Sequence, residues 1–205
     1  MAQVGTVTAL ADAIRRVTVD LQELDRHFAL IGGLAVSVRA EPRFTRDIDF
    51  AVAVTGDRDA EKLVSELQPS GYRVLAIVEQ IGQGRLATVR LEPPPGPARG
   101  VVVDLLFASS GIEPEIVAAA DPLEVFPGIT LPVARTGHLL ALKTLARDDQ
   151  RRPQDSMDIR ALIEVASRED LTLAREAVAL IEQRGFARGR KLQQLLEQAL
   201  NLKIA

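Results

Sequence analysis

The sequence predicts an α/β (α+β) fold, a mixed sheet with flanking helices followed by a helical C-terminal part, and three observations lead there. Short apolar runs bounded by glycine, proline or acidic residues read as strands, at 28–31, 47–54, 72–78, 85–91 and 100–107. Stretches with apolar residues at three- and four-residue steps precede and separate them and read as helices. Beyond residue 111 only the helical spacing remains, so the chain is expected to divide near residue 130 into a core, 1–130, and a helical subdomain, 131–205.

In order along the chain, Leu10, Ala13, Ile14, Val17 and Leu21 mark an amphipathic helix over 7–24 with one core-facing stripe. Phe28 to Ile31 then meets Gly32-Gly33 and the small-residue segment Leu34 to Ala40, a pattern of strand, tight turn and helix. Glu41-Pro42 ends that helix, because proline disfavours helical geometry in the residue before it. Asp47 to Val54 is a strand that starts polar and turns wholly apolar. A helix over about Asp57 to Leu67 leads through Ser70-Gly71 into strand Tyr72 to Val78. Arg85 to Leu91 and Gly100 to Phe107 are expected to pair as a hairpin. Their connection, Glu92-Pro-Pro-Pro-Gly-Pro-Ala-Arg-Gly100, is stiff and exposed, since prolines lack the N–H a sheet ladder needs. Helices are then expected at Glu113–Ala120, Gly137–Arg147 with Thr136 as N-cap, Gln154–Ala166, Leu173–Arg184 and about Arg188–Leu200.

With 205 residues, 47% of them hydrophobic, the chain can bury one substantial core, or a sheet domain with a smaller helical companion. The lack of cysteine excludes disulfides and thiolate metal sites, and two histidines, His27 and His138, are too few for a histidine-rich zinc site. Any metal must be held mainly by carboxylates. Twenty-five basic against 28 acidic residues, net −3, argue against a surface that coats nucleic acid and leave a local basic groove open. The N-terminus lacks the basic and apolar regions of a signal peptide, and no apolar stretch approaches a bilayer span, so a soluble, cytoplasmic protein is expected.

The polar end of the 47–54 strand requires a reason. Side chains at i and i+2 leave the same face of a strand, so Asp47 and Asp49 project together, roughly 7 Å apart at Cα. Two adjacent carboxylates repel unless a cation lies between them. Asp104 interrupts Val101-Val102-Val103 and Leu105-Leu106-Phe107, where a buried carboxylate needs a metal, a base or a solvent cleft. If that strand lies beside 47–54, three carboxylates converge into a site suited to Mg²⁺ or Mn²⁺. A Gly32-Gly33 turn without Cβ atoms lets backbone N–H groups approach an anion, and the helix starting there adds its positive dipole end, so a triphosphate fits between the glycines and the metals.

Gly32-Gly33, thirteen residues (34–46), Asp47-Ile48-Asp49 and the apolar-flanked Asp104 resemble the signature of the DNA polymerase β nucleotidyltransferase superfamily. The approach Arg43-Phe44-Thr45-Arg46-Asp47 and the string from Lys143 through Arg147, Pro153 and Asp155 to Asp158-Ile159 resemble its AbiEii-type branch of bacterial abortive-infection and toxin nucleotidyltransferases. The resemblance runs from about residue 27 to 165. It implies a polymerase β-like nucleotidyltransferase core, an NTP and Mg²⁺ (or Mn²⁺) as reactants, and transfer of an NMP to an acceptor hydroxyl with release of pyrophosphate. Family members characterised as toxins are similar to tRNA-modifying enzymes paired with an antitoxin, which implies tRNA or a protein as acceptor and a cognate antitoxin as partner. The chain departs from the larger toxins by being short and by carrying Gln154 where a lysine often precedes the aspartate.

On this reading Asp47 and Asp49 hold both metals, Asp104 completes the metal that activates the attacking hydroxyl, and Gly32 and Gly33 fix the phosphates. Thr45 and Arg46 either orient phosphate or start the strand. Lys143 is either a solvated lysine or a cation for the triphosphate, expected as one member of an exposed pair with Asp158 worth about 0–1 kcal/mol. Asp155 and Asp158 also suit a helix N-terminus on dipole grounds alone. His27 and His138 are expected to be structural. Arg184, Arg188, Arg190 and Lys191 read as a solvated helix face, with RNA contact as second choice. Two alternatives stand beside the toxin-type reading: a small-molecule nucleotidyltransferase like the antibiotic-modifying enzymes, and a non-catalytic nucleotide-binding relative, whose mark would be loss of one acid.

Overall fold

The strands form one seven-stranded mixed sheet in the order β3-β4-β5-β2-β1-β7-β6. The computed structural model describes residues 2–94, 96, 100–148 and 153–201. Part of the proline-rich connection (95, 97–99) and residues 149–152 of the string leading to Asp158 lie outside the described residues.

Helix α1 (Ala2–Glu23) buries the expected stripe of Leu10, Ala13, Ile14, Val17 and Leu21. Strand β1 (Phe28–Ile31), buried throughout, turns directly into α2 (Gly32–Arg39). Then come β2 (Asp47–Val52), α3 (Asp57–Leu67), a short 3₁₀ turn, β3 (Arg73–Gln80), β4 (Arg85–Glu92) and β5 (Val102–Leu106). Helix α4 (Glu113–Ala118) follows, then β6 (Asp121–Phe126), β7 (Ile129–Val133), and helices α5 (Thr136–Ala146), α6 (Pro153–Val165), α7 (Arg168–Gln183) and α8 (Leu192–Asn201). β2 runs parallel to β5, and β1 parallel to β7; the other neighbours are antiparallel.

Strand β2 shows why the fold creates a site. Ile48, Phe50 and Val52 are fully buried on one face, where each such side chain contributes about 2 kcal/mol. The alternation places Asp47 and Asp49 on the opposite face, exposed and half-buried respectively. Burying the apolar set thus forces the carboxylates outward.

Four expectations need correction. The chain beyond 111 is not all helical, because Asp121–Val133 forms a hairpin around Pro127-Gly128, with Gly128 at φ +74°. Its strand β6 is an edge, where Pro122 can be tolerated. Arg39 of α2 holds the hairpin by donating to Asp121 (2.7 Å) and to the carbonyls of Val133 (2.9 Å) and Ala134 (3.0 Å). Residue 130 therefore lies inside β7, and the helical run starts at Thr136. Thr136 is the first helical residue rather than the cap; Arg135 stands at the cap, with no side-chain hydrogen bond that caps the helix. α7 also begins earlier than Leu173, because Ser167 and Asp170 form a reciprocal capping box. No helix among the described residues is long and apolar enough to cross a membrane.

Candidate active site

Sheet register builds a row of residues across four strands. Ile31 of β1 is opposite Asp49 of β2, Asp49 is opposite Asp104 of β5, and Asp104 is opposite Arg90 of β4. Asp47 lies two residues up on the Asp49 side, opposite Val102. The expected adjacency of the two acid-bearing strands is thus present, with Asp104 the deepest of the three carboxylates at 7% exposure.

Asp104 is held by a residue that the sequence reading did not single out. Arg90 donates from Nε to Oδ1 at 2.9 Å and from Nη2 to Oδ2 at 2.7 Å, a planar fork on a planar carboxylate. The Asp104 hydrogen bonds raise the Arg90 guanidinium above its ordinary value against the opposing effect of burial, and the charges of Asp47 and Asp49 add to the rise. Among the described residues, no group of three or more acidic or histidine side chains is placed to hold a metal. The donor set itself, three carboxylates on one face of adjacent strands, suits a hard, oxygen-preferring cation.

The two glycines are required for different reasons. Gly32 has φ +68°, and a Cβ there would lie 1.8 Å from Asp49 Oδ2, so the turn residue makes room for the carboxylate. A Cβ on Gly33 would lie 2.3 Å from Arg43 Nη2, so this position makes room for an arginine that crosses the start of α2. Arg43 is anchored locally: its backbone N–H donates to Ser37 Oγ at 3.2 Å, and that hydroxyl donates to the Gly33 carbonyl at 3.1 Å.

Arg43 leads to a second charged cluster. Its Nε lies 2.7 Å from Asp158 Oδ1, and its Nη2 donates to Oδ2 at 3.0 Å. Lys143 Nζ from α5 contacts the same Asp158 Oδ2 at 2.7 Å and donates to Asp155 Oδ1 at 2.9 Å. The Lys143–Asp158 pairing is as expected, but the pair is not exposed. Lys143 is 7% exposed, Asp158 2% and Asp155 0%, because α5 and α6 close over them. Asp155 is therefore more than a dipole-favoured helix start.

Both clusters open on one cleft of about 380 Å³. Its wall includes Gly32, Gly33, Asp47, Asp49, Asp104 and Lys143. Thr45 also lines it, with Oγ1 donating to the Asp47 carbonyl at 3.3 Å. Arg46 sits over the Phe44 ring at 5.3 Å. His27 is exposed and contributes its carbonyl to the Ala53 N–H. His138 is buried in α5, and burial lowers its pKa to about 4. The C-terminal arginines are not a plain solvated face. Arg184 pairs with Glu115 and the Gly111 carbonyl, Arg188 donates to Ser109, and Arg190 donates to the Leu145 carbonyl at 2.7 Å. They fasten the last helices to the loop after β5 and to α5.

The family described as "Nucleotidyl transferase AbiEii toxin, Type IV TA system" matches residues 15–205. A search of curated proteins found no match. Among solved structures, the antibiotic-resistance factor ANT(2'')-Ia aligns with a TM-score of 0.50 and 17% identity, over 96% of this chain and 94% of that one. The lincosamide antibiotic adenylyltransferase LnuA aligns with 0.47 and 13% identity, over 76% of this chain and 97% of that one. MenT4, a nucleotidyltransferase toxin from Mycobacterium tuberculosis, aligns with 0.36 and 16% identity, over 98% of each chain. The ANT(2'')-Ia likeness bears out the expected polymerase β-like fold.

Proposed function

Because this chain belongs to the AbiEii nucleotidyl transferase toxin family, we propose that its cleft transfers a nucleoside monophosphate from an NTP to an acceptor hydroxyl, with release of pyrophosphate. The register of β2 against β5 carries this assignment, since it sets Asp49 beside Asp104 and Asp47 on the same face, next to a glycine turn. Asp47, Asp49 and Asp104 are the residues that would hold Mg²⁺ or Mn²⁺. Such an ion, when bound, supplies charge neutralisation at the phosphates and a lowered pKa for the attacking hydroxyl.

The protein's own groups do the rest. Helix α2 begins at Gly32 with no side chain capping it, so its first-turn N–H groups are available to phosphate oxygens at the positive end of the helix. Thr45 offers a hydroxyl on the same wall. Lys143 places an ammonium near the departing pyrophosphate, and Asp155 and Asp158 fix that ammonium in position. Gly32, lacking a Cβ, leaves the space that the Asp49 carboxylate occupies beside the turn. The acceptor to test first is tRNA, with a protein hydroxyl beside it, and a cognate antitoxin is the partner that the family's toxin–antitoxin description suggests.

The experiment is incubation with each α-labelled NTP, Mg²⁺ and total tRNA, in parallel with protein alone. The expected result is label in tRNA that depends on Asp49. Label confined to the protein would replace the acceptor, and no label anywhere would remove the activity.

A further inference from the structure

Arg90 and Asp104 are opposite one another on antiparallel strands, and the guanidinium occupies both carboxylate oxygens. These are the oxygens a divalent cation would need. Asp104 is buried, and a buried carboxylate requires a counter-charge, which Arg90 supplies. The arginine is not enclosed in the same way: its side chain is 46% exposed, whereas Lys143, at 9%, is shut between its two acids. A half-exposed guanidinium has a path into the cleft, and Arg90 lines that cleft.

We propose that Arg90 is a displaceable internal counter-ion, occupying Asp104 in the metal-free protein and giving that carboxylate up when a divalent cation binds. This rests on the nucleotidyl-transfer reading of the cleft and deepens it. Cation and guanidinium compete for the same two oxygens, and their like charges disfavour joint occupancy. Displacement releases a positive side chain into a cleft built for an anion, so metal loading prepares the wall for the triphosphate. Arg90 is a positioning residue in this scheme, acting through Asp104.

The test is calorimetric titration of Mn²⁺ into the wild type, Arg90→Gln, Arg90→Lys and Asp49→Asn. Removing the competitor should tighten Mn²⁺ binding roughly ten- to a hundredfold in Arg90→Gln, the strength of a charge-assisted contact converted to affinity. Arg90→Lys, which keeps the charge and loses the fork, should fall between. Without metal, Arg90→Gln should melt below the wild type, and Mn²⁺ should raise its Tm more than it raises the wild-type Tm. If Arg90→Gln does not fold, Arg90→Lys carries the comparison with a severalfold gain expected. A purely structural arginine would give equal or weaker Mn²⁺ affinity in both variants. That outcome, with Asp49→Asn still abolishing binding, overturns the displacement and leaves the metal site standing. No Mn²⁺ binding in any form, wild type included, removes the metal site and the displacement together.

Discussion

Gly32 and Asp49 stand so close that a Cβ on the glycine would lie 1.8 Å from the carboxylate Oδ2. The turn between β1 and α2 thus lies directly against the acid row of β2, with no room for a side chain between them. Gly32→Ala is expected to cost about 1–2 kcal/mol from its positive φ. By swinging Asp49 out of line it should also lower turnover by at least roughly tenfold. Chemical denaturation and steady-state kinetics on one preparation check both; normal turnover in Gly32→Ala would show that the contact does not set the orientation of Asp49.

Gly33 should respond differently, because its neighbour is the Arg43 guanidinium. Gly33→Ala is expected to destabilise by displacing Arg43 from Asp158, and Arg43→Ala should remove most of that cost. The double variant should therefore be less destabilised than the sum of the single changes, with a coupling of about 0.5–3 kcal/mol. Additive losses would mean that Gly33 is needed for the turn alone.

Lys143→Ala leaves Asp155 without its ammonium in a fully buried position and removes one of two cations from Asp158. Breaking a buried pair by deleting one partner costs about 3–5 kcal/mol, far more than an exposed pair. Urea denaturation should show a loss of that order, and Lys143→Ala/Asp155→Asn should recover part of it. A midpoint close to wild type would contradict the buried arrangement.

The readable parts of this chain were those where one local pattern determines the answer. Apolar alternation through Ile48 and Phe50 fixed the face of Asp47 and Asp49, and the break in an apolar run marked Asp104. The hairpin Asp121–Val133 was hidden by its prolines, which interrupt the apolar pattern: Pro122 lies on the edge strand β6, Pro127 in the turn, and Pro132 in β7 between β6 and β1. Leu123, Val125, Ile129, Leu131 and Val133 around Pro127-Gly128 did carry a period-two signal. Arg90 interrupts Val89 and Leu91 as Asp104 interrupts its own strand, but pairing the two needs sheet register, which no local pattern contains. The burial of Lys143 and Asp155 likewise depends on how α5 and α6 close together.

Stability should fall between about pH 6.5 and 4 because of His138. Burial lowers its folded pKa to about 4 from an ordinary 6.5, so the unfolded chain takes up the proton first as pH falls. Its contribution is complete above pH 6.5 and is lost on the way down, by up to roughly 3 kcal/mol. His138→Leu should flatten the stability–pH curve across that window; an unchanged slope would assign the acid sensitivity to other groups.

The most direct measurement is pyrophosphate release from each NTP with Mg²⁺ and total tRNA, compared between wild type and Asp49→Asn. The wild type should release pyrophosphate in proportion to nucleotide joined to the acceptor. Asp49→Asn should lose at least roughly a thousandfold in rate while its Tm stays near wild type, since Asp49 is only half-buried. Release by Asp49→Asn at the wild-type rate, or none from any NTP by the wild type, would contradict a nucleotidyl-transfer site built on Asp47, Asp49 and Asp104.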